Sequence, residues 1–285
     1  MLKPFSQRII KPALPVAILV VLLAPQLIAA QEEATISDAV ARGEGPNAQK
    51  GYDISARSDR SDNGYGDSIA DAQMVLRNRA GQETTRDFSF ATLEKENENV
   101  GDKSLVVFKS PRDVEGTALL SHAKILDPDD QWLFLPALKR VKRISSANKS
   151  GSFVGSEFAF EDFTISELNK FTYNYVGEEE LDGMMMDVVE RFPRYERSGY
   201  TKQKAWVDQE IFQTRKIEFY DRKGELLKTL TLSDFHDYDG VWRSHKLSMV
   251  NHQTEKNTEL NYAGYKFKTG LDDSDFQQGI LTRLR

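Results

Sequence analysis

The chain of 285 residues contains no cysteine. That single absence removes disulfides, thiolate metal sites and cysteine nucleophiles, and it excludes the lipid-modified N-terminal cysteine of a bacterial lipoprotein. Histidine is scarce, with only His122, His236, His245 and His252. No two of these stand in an i, i+4 relation, and His245 and His252 are separated across an expected strand and turn, so no histidine metal site is expected. Enzyme signatures are missing too. There is no G-x-S-x-G elbow, no G-x-x-x-x-G-K-[ST], no H-E-x-x-H and no G-x-G-x-x-G. No catalytic residue and no cofactor are expected, and the chain does not read as an enzyme.

Long apolar runs are also lacking, apart from one near the N-terminus. Lys3, Arg8 and Lys11 precede an apolar stretch from Ala13 to Ala24, interrupted by Pro15, and Pro25-Gln-Leu-Ile-Ala-Ala30 follows. This basic, apolar and small-residue succession reads as a cleavable secretory signal over 1–30. An apolar core of about twelve residues is too short to cross about 30 Å of hydrocarbon as a helix. Removing it leaves 35 basic against 44 acidic residues, a net charge near -9. Such an excess of acid argues against nucleic-acid binding and against adhesion to anionic membranes, with peripheral membrane contact at most. Without disulfides the exported chain depends on its core. A single domain over 31–285 is long enough to bury roughly 70 to 75% of its unfolded surface.

Two regions differ in pattern. Over 31–71, Ile36, Ala39 and Val40, then Ala48, Tyr52 and Ala56, recur at helical spacing, with Pro46 suited to a first turn. They predict one or two short amphipathic helices. From 72 to 285 the apolar residues alternate with period two between turn signals. Examples are Met74/Leu76, Phe88/Phe90, Leu105/Val107, Ile217/Phe219, Leu230/Leu232 and Leu260/Tyr262, with turns at Asp182-Gly183, Asp221-Arg-Lys-Gly224 and Asp239-Gly240. The expected fold is mainly β. It is a curled antiparallel sheet of about eleven to thirteen strands, forming a half-open barrel covered by the short N-terminal helices.

Acidic clusters at Asp127-Pro-Asp-Asp130, Asp234 to Gly240 and Asp272-Asp-Ser-Asp275 invite a calcium reading. None matches a calcium loop, since Phe235 and Lys246 stand where the first and last ligands would be, and Asp is a favoured turn residue. Glu178-Glu-Glu180 and the acids between Glu94 and Glu98 lie in polar runs rather than in an apolar cleft, which does not suit paired-carboxylate chemistry. The basic cluster Lys139, Arg140, Lys142 and Arg143 stands out in an acidic protein. It reads as a solvated strand end, or as a patch docking to an acidic partner or lipid headgroup. The aromatics and Met184-Met185-Met186 fill a core in the plainer reading. In the functional one, Trp132, Phe134, Phe153, Phe158, Phe171, Tyr173, Met184, Met186 and Phe219 line an apolar cavity suited to acyl chains.

The segment Trp132-Leu-Phe-Leu-Pro-Ala-Leu-Lys-Arg-Val-Lys-Arg-Ile144, continuing through Ser145 to Phe163, resembles the periplasmic outer-membrane lipoprotein-sorting (LolA-like) family. Asp113 to Leu120 and Asp234 to Trp242 share the resemblance, which extends from about Ala72 to the end. It implies a half-open barrel lidded by helices and a periplasmic carrier of a hydrophobic cargo, lipid or lipid-modified protein, in a Gram-negative bacterium. The stretch from Trp132 to Phe163 is similar to relatives that accompany inner-membrane transporters of the RND/MMPL type, which implies such a transporter as partner. The competing expectation is a non-carrying adaptor module, fully packed, that docks through its basic patch.

Overall fold

The computed structural model of the chain describes residues 43–95, 100–125 and 127–284. The signal over 1–30 and the helical spacing at Ile36, Ala39 and Val40 lie outside the described residues. Among the described residues one α-helix, α1 (Pro46–Ser61), has Pro46 in its first turn after Gly45, where a missing N–H costs nothing. Ala48, Gly51, Tyr52, Ile54 and Ala56 are its buried residues.

Thirteen strands follow: β1 (Asp67–Arg77), β2 (Glu83–Leu93), β3 (Lys103–Ser110), β4 (Ala118–His122), β5 (Asp130–Leu135), β6 (Arg140–Arg143), β7 (Phe171–Leu181), β8 (Met184–Pro193), β9 (Lys202–Asp208), β10 (Thr214–Tyr220), β11 (Leu226–Tyr238), β12 (Val241–Asn251) and β13 (Lys256–Phe267). They form one sheet in the order β6-β5-β4-β3-β2-β1-β13-β12-β11-β10-β9-β8-β7, antiparallel throughout. The chain enters at the middle, steps outward to β6, crosses to the opposite edge and steps back until β13 pairs with β1. The two edges, β6 and β7, are not joined, so the barrel is half-open as the alternation predicts.

The crossing segment, 144–170, shows how strongly the sheet curls. Gln131 of β5 donates from Nε2 to Phe160 O at 2.7 Å, and Lys228 of β11 donates from Nζ to Asp162 Oδ2 at 2.6 Å. These strands are seven steps apart in the sheet order, about 34 Å in a flat sheet at about 4.8 Å per strand. Side chains from both reach loop residues two positions apart, which only a sheet folded over the loop permits.

Period two then divides the side chains between two faces. On the inner face, Met74, Phe88, Val106, Phe108, Leu119, Ile217, Phe219, Leu230, Met249, Leu260 and Tyr262 form the largest core cluster with Phe153, Phe158, Phe163 and Tyr200. Further along this face, α1 lies against β7 and β8 through Tyr52, Ile54 and Ala56, packed with Phe171, Tyr173, Val189 and Val207. Gly51 makes the approach possible, because a Cβ there would sit 2.9 Å from the Tyr175 backbone nitrogen. Among the described residues, the helical cover is α1, at the β7–β8 end. The main cover of the inner face is the crossing loop, whose phenylalanines supply apolar area that the short helix cannot. On the outer face the C-terminal segment brings Phe276 and Leu281 onto Leu93, Leu105, Ala118, Leu120 and Phe134. No helix among the described residues is long and apolar enough to cross a membrane.

Candidate functional site

The crossing loop is docked by polar groups as well as by rings. Phe153 is fully buried, with ring centroids 4.4 Å from Phe163, 5.6 Å from Phe160 and 5.8 Å from Phe108. Loop carbonyls would be stranded in such an interior, and sheet side chains meet them. Gln131 reaches Phe160 O, Ser104 Oγ donates to Phe163 O at 3.2 Å, Lys228 Nζ to Glu157 O at 3.0 Å, and an Arg86 guanidinium N–H to Val154 O. Asp162 is the hub, accepting from Lys228 Nζ, from Tyr200 Oη at 2.8 Å and from Ala159 N at 2.7 Å. Beside it, burial raises the Glu161 carboxyl above the usual carboxylate range. Glu161 accepts from Gly199 N, Ser198 Oγ and Tyr195 Oη. At the loop's ends Lys149 and Lys170 close on Asp129, Lys149 Nζ donating to its carbonyl and Lys170 Nζ to its carboxylate, each at 2.6 Å.

A cleft lies between this loop and the end of the sheet. It has a volume of about 410 Å³ and is lined by Leu133 and Leu135 of β5, Lys142 of β6, Ile144, and Ala147, Asn148, Ser150, Gly151 and Phe160 of the loop. Volumes of about 300 to 1,000 Å³ are typical of ligand sites. Its lining is mostly apolar, and Lys142 is its one charged member. A second, more polar cleft of about 360 Å³ adjoins it at Ile144, between Lys124, Asp129, Arg143 and Ser146.

The nine residues expected to line one cavity do not share one. Phe153, Phe158 and Phe219 belong to the inner core. Phe171 and Tyr173 lie under α1. Trp132 and Phe134 point to the outer face, beneath the C-terminal segment. Met186, with Met184 against it, packs on Val188 and Trp206. Strand parity separates them: Leu133 and Leu135 face the cleft, so Trp132 and Phe134 cannot. Lys139, Arg140, Lys142 and Arg143 are all exposed around the β5–β6 turn, where Leu138 is 68% exposed. Arg143 pairs with Asp130, and Val141 packs on the outer face, opposite Arg140 and Lys142.

The other sequence candidates have local explanations. Asp129 and Asp130 are held by Lys170, Lys124 and Arg143, while Asp272 accepts from Ser274 N and Asp273 pairs with Lys95 and Lys103. Glu179 accepts from Lys204 Nζ and from Trp206 Nε1. The histidines do not all stand apart, since the rings of His236 and His245 lie 4.3 Å from each other. Spacing along the chain concealed this, because cross-strand distance depends on hairpin register. The docking role of Asp162 and Lys228 was equally hidden: the partners are 66 residues apart, and only the charged pair set between Phe160 and Phe163 hinted at it.

A family model described as "Uncharacterized protein" matches residues 101–283. Among solved structures, an outer membrane lipoprotein-sorting protein domain from Vibrio parahaemolyticus is 49% identical, covering 83% of this chain and 100% of that one, with a TM-score of 0.80. A DUF1329 family protein from Desulfovibrio piger is 29% identical over 83% of this chain and 100% of that one, at a TM-score of 0.79. A LolA superfamily protein from Nitrosomonas europaea shares the fold at 20% identity and a TM-score of 0.65, over 82% of this chain and 99% of that one. No curated protein is similar enough to match. With its half-open sheet, its loop-filled inner face and these relatives, the chain belongs to the outer-membrane lipoprotein-sorting family and has a LolA-like fold.

Proposed function

We propose that the protein is a periplasmic carrier of a hydrophobic cargo, a lipid or the acyl chains of a lipid-modified protein, exported by the signal over 1–30. The observation that carries this reading is the cleft between β5, β6 and the loop. Its walls at Leu133, Leu135, Ile144 and Phe160 remove methylenes from water, at about 0.8 kcal/mol each, and Lys142 stands ready for an anionic headgroup. A non-enzymatic transfer role fits the family. Deeper entry of cargo requires Phe153, Phe158 and Phe163 to leave the inner face, which makes the loop, rather than the helix, the moving part.

The exposed basic hairpin gives the carrier a surface for an acidic partner, and we assign this to an inner-membrane transporter of the RND/MMPL type. Reversing Arg140 and Lys142 to Glu should weaken association with that partner while leaving the melting temperature unchanged, because exposed charges contribute within about 0.5 kcal/mol. Association at the wild-type level in a pull-down would reduce the cluster to charges that protect an edge strand from further pairing.

One observation favours a second reading, the packed adaptor: the chain's own phenylalanines occupy most of the inner face. Mass spectrometry of protein purified from the periplasm separates the two. Co-purifying lipid supports the carrier, and a clean chain that also ignores fluorescent acyl probes supports the adaptor.

A further inference from the structure

We infer that the β11–β12 hairpin carries a binding site for a divalent transition cation of the zinc type, formed by Asp234, His236 and His245. The register brings these residues together. Ser233 pairs with Lys246 and Phe235 with Ser244, which leaves Asp234 opposite His245, while His236, two residues on, shares the strand face of Asp234. One ligand atom from each residue, a carboxylate oxygen or a ring nitrogen, lies within 4.8 Å of the other two. His236 Nε2 and Asp234 Oδ1 are 3.1 Å apart. Donor atoms on a tetrahedral zinc at about 2.0 to 2.1 Å stand about 3.3 Å from one another, so this pair already has the required spacing. The rest of the closure falls to side chains that can move, since Asp234 and His236 are exposed and His245 is half-buried.

An exposed Asp–His contact alone makes no metal site. Here a third donor converges, and its ring is held in place by neighbours: Tyr238 Oη lies 2.8 Å from His245 Nε2 and the Tyr262 backbone also bonds to the imidazole, outer contacts of the kind that fix a ligating ring. The nearest fixed cation in the ladder, Arg243 opposite His236, does not oppose a metal charge unscreened, because its guanidinium is paired with Asp62 and lies over the rings of Tyr65 and Phe267. Two imidazoles and one carboxylate suit zinc and its neighbours better than calcium or magnesium, which prefer all-oxygen shells. Three protein ligands leave a fourth position for water or for an anionic group. The site stands apart from the cargo cleft, so its fate and that of the carrier reading are independent.

The test is a titration of the chelator-treated full chain with zinc sulfate, followed by equilibrium dialysis and by NMR of the four imidazoles. One zinc ion per chain is expected, with the His236 and His245 signals moving while those of His122 and His252 stay. His236→Ala and His245→Ala should each weaken uptake at least tenfold, with unchanged metal-free melting. No uptake, uptake that the double variant retains, or shifts confined to His122 and His252 would overturn the site.

Discussion

Buried and half-buried charge governs this protein at the scale of single residues. Lys228 and Asp162 are a close pair with almost no exposure, held further by Tyr200 Oη and the Glu157 carbonyl, and removing one partner of such a pair usually costs about 3 to 5 kcal/mol because the other is left uncompensated. Asp102 is the opposite case. It accepts from Lys95 N and Tyr65 Oη, yet burial pushes its carboxyl up to about 7, with Glu167 nearby adding to the rise. Burial likewise raises Asp59, at the end of α1, to about 6. Both ionise near 4 in the unfolded chain, so the folded state binds more protons between these values, and the stability they contribute falls as pH rises from about 4 to about 7 and is level above. Asp102→Asn, which keeps an acceptor for Lys95 N, should therefore raise the melting temperature at pH 8. That advantage should shrink progressively toward pH 4. Melting curves of both proteins across that range check it, and a difference independent of pH would contradict the assignment.

Among the elements, the strands were the most legible. Pairs such as Phe88/Phe90, Ile217/Phe219 and Leu260/Tyr262 lie on strand faces as the alternation predicts, and Ala48, Tyr52 and Ala56 form the buried stripe of α1 with Pro46 in its first turn. Strand β1 begins at Asp67, five residues before the period-two signal becomes clear at Ala72, because Ser68 and Ala70 are small. The crossing loop was not legible. Its phenylalanines sit in 3-10 turns and irregular chain, where spacing says nothing about direction, and their partners come from strands far away in sequence. For the same reason parity could tell that Trp132 and Phe134 share a face, but not which face the C-terminal segment would cover. The loop behaves as core in this structure. Phe153→Ala should thus cost about 3 to 5 kcal/mol in chemical denaturation, as a buried phenylalanine does. A loss below about 1 kcal/mol would describe a loosely docked lid instead.

At the largest scale, the described residues form an open sheet closed over its own connection, with a charged strand at each free edge: Arg140, Lys142 and Arg143 on β6, and Glu178, Glu179 and Glu180 on β7. Such charges discourage edge-to-edge pairing, which a half-open barrel must prevent. Topology also places the residual cleft. The chain leaves β6 and turns back over the inner face, so the space between that edge and the returning loop is where packing is incomplete, and Lys142 sits at its margin. Uptake of acyl chains, as proposed, relies on this cleft. Its most direct test is the affinity of a fluorescent acyl probe for the wild-type protein and for Ala147→Trp, an exposed lining position whose enlargement fills the cleft from the loop side without touching the core. Saturable probe binding, displaced by phospholipid, should fall at least tenfold, about 1.4 kcal/mol, in the variant while its melting temperature is unchanged. Probe affinity equal in the two proteins, or no binding by either, would contradict it.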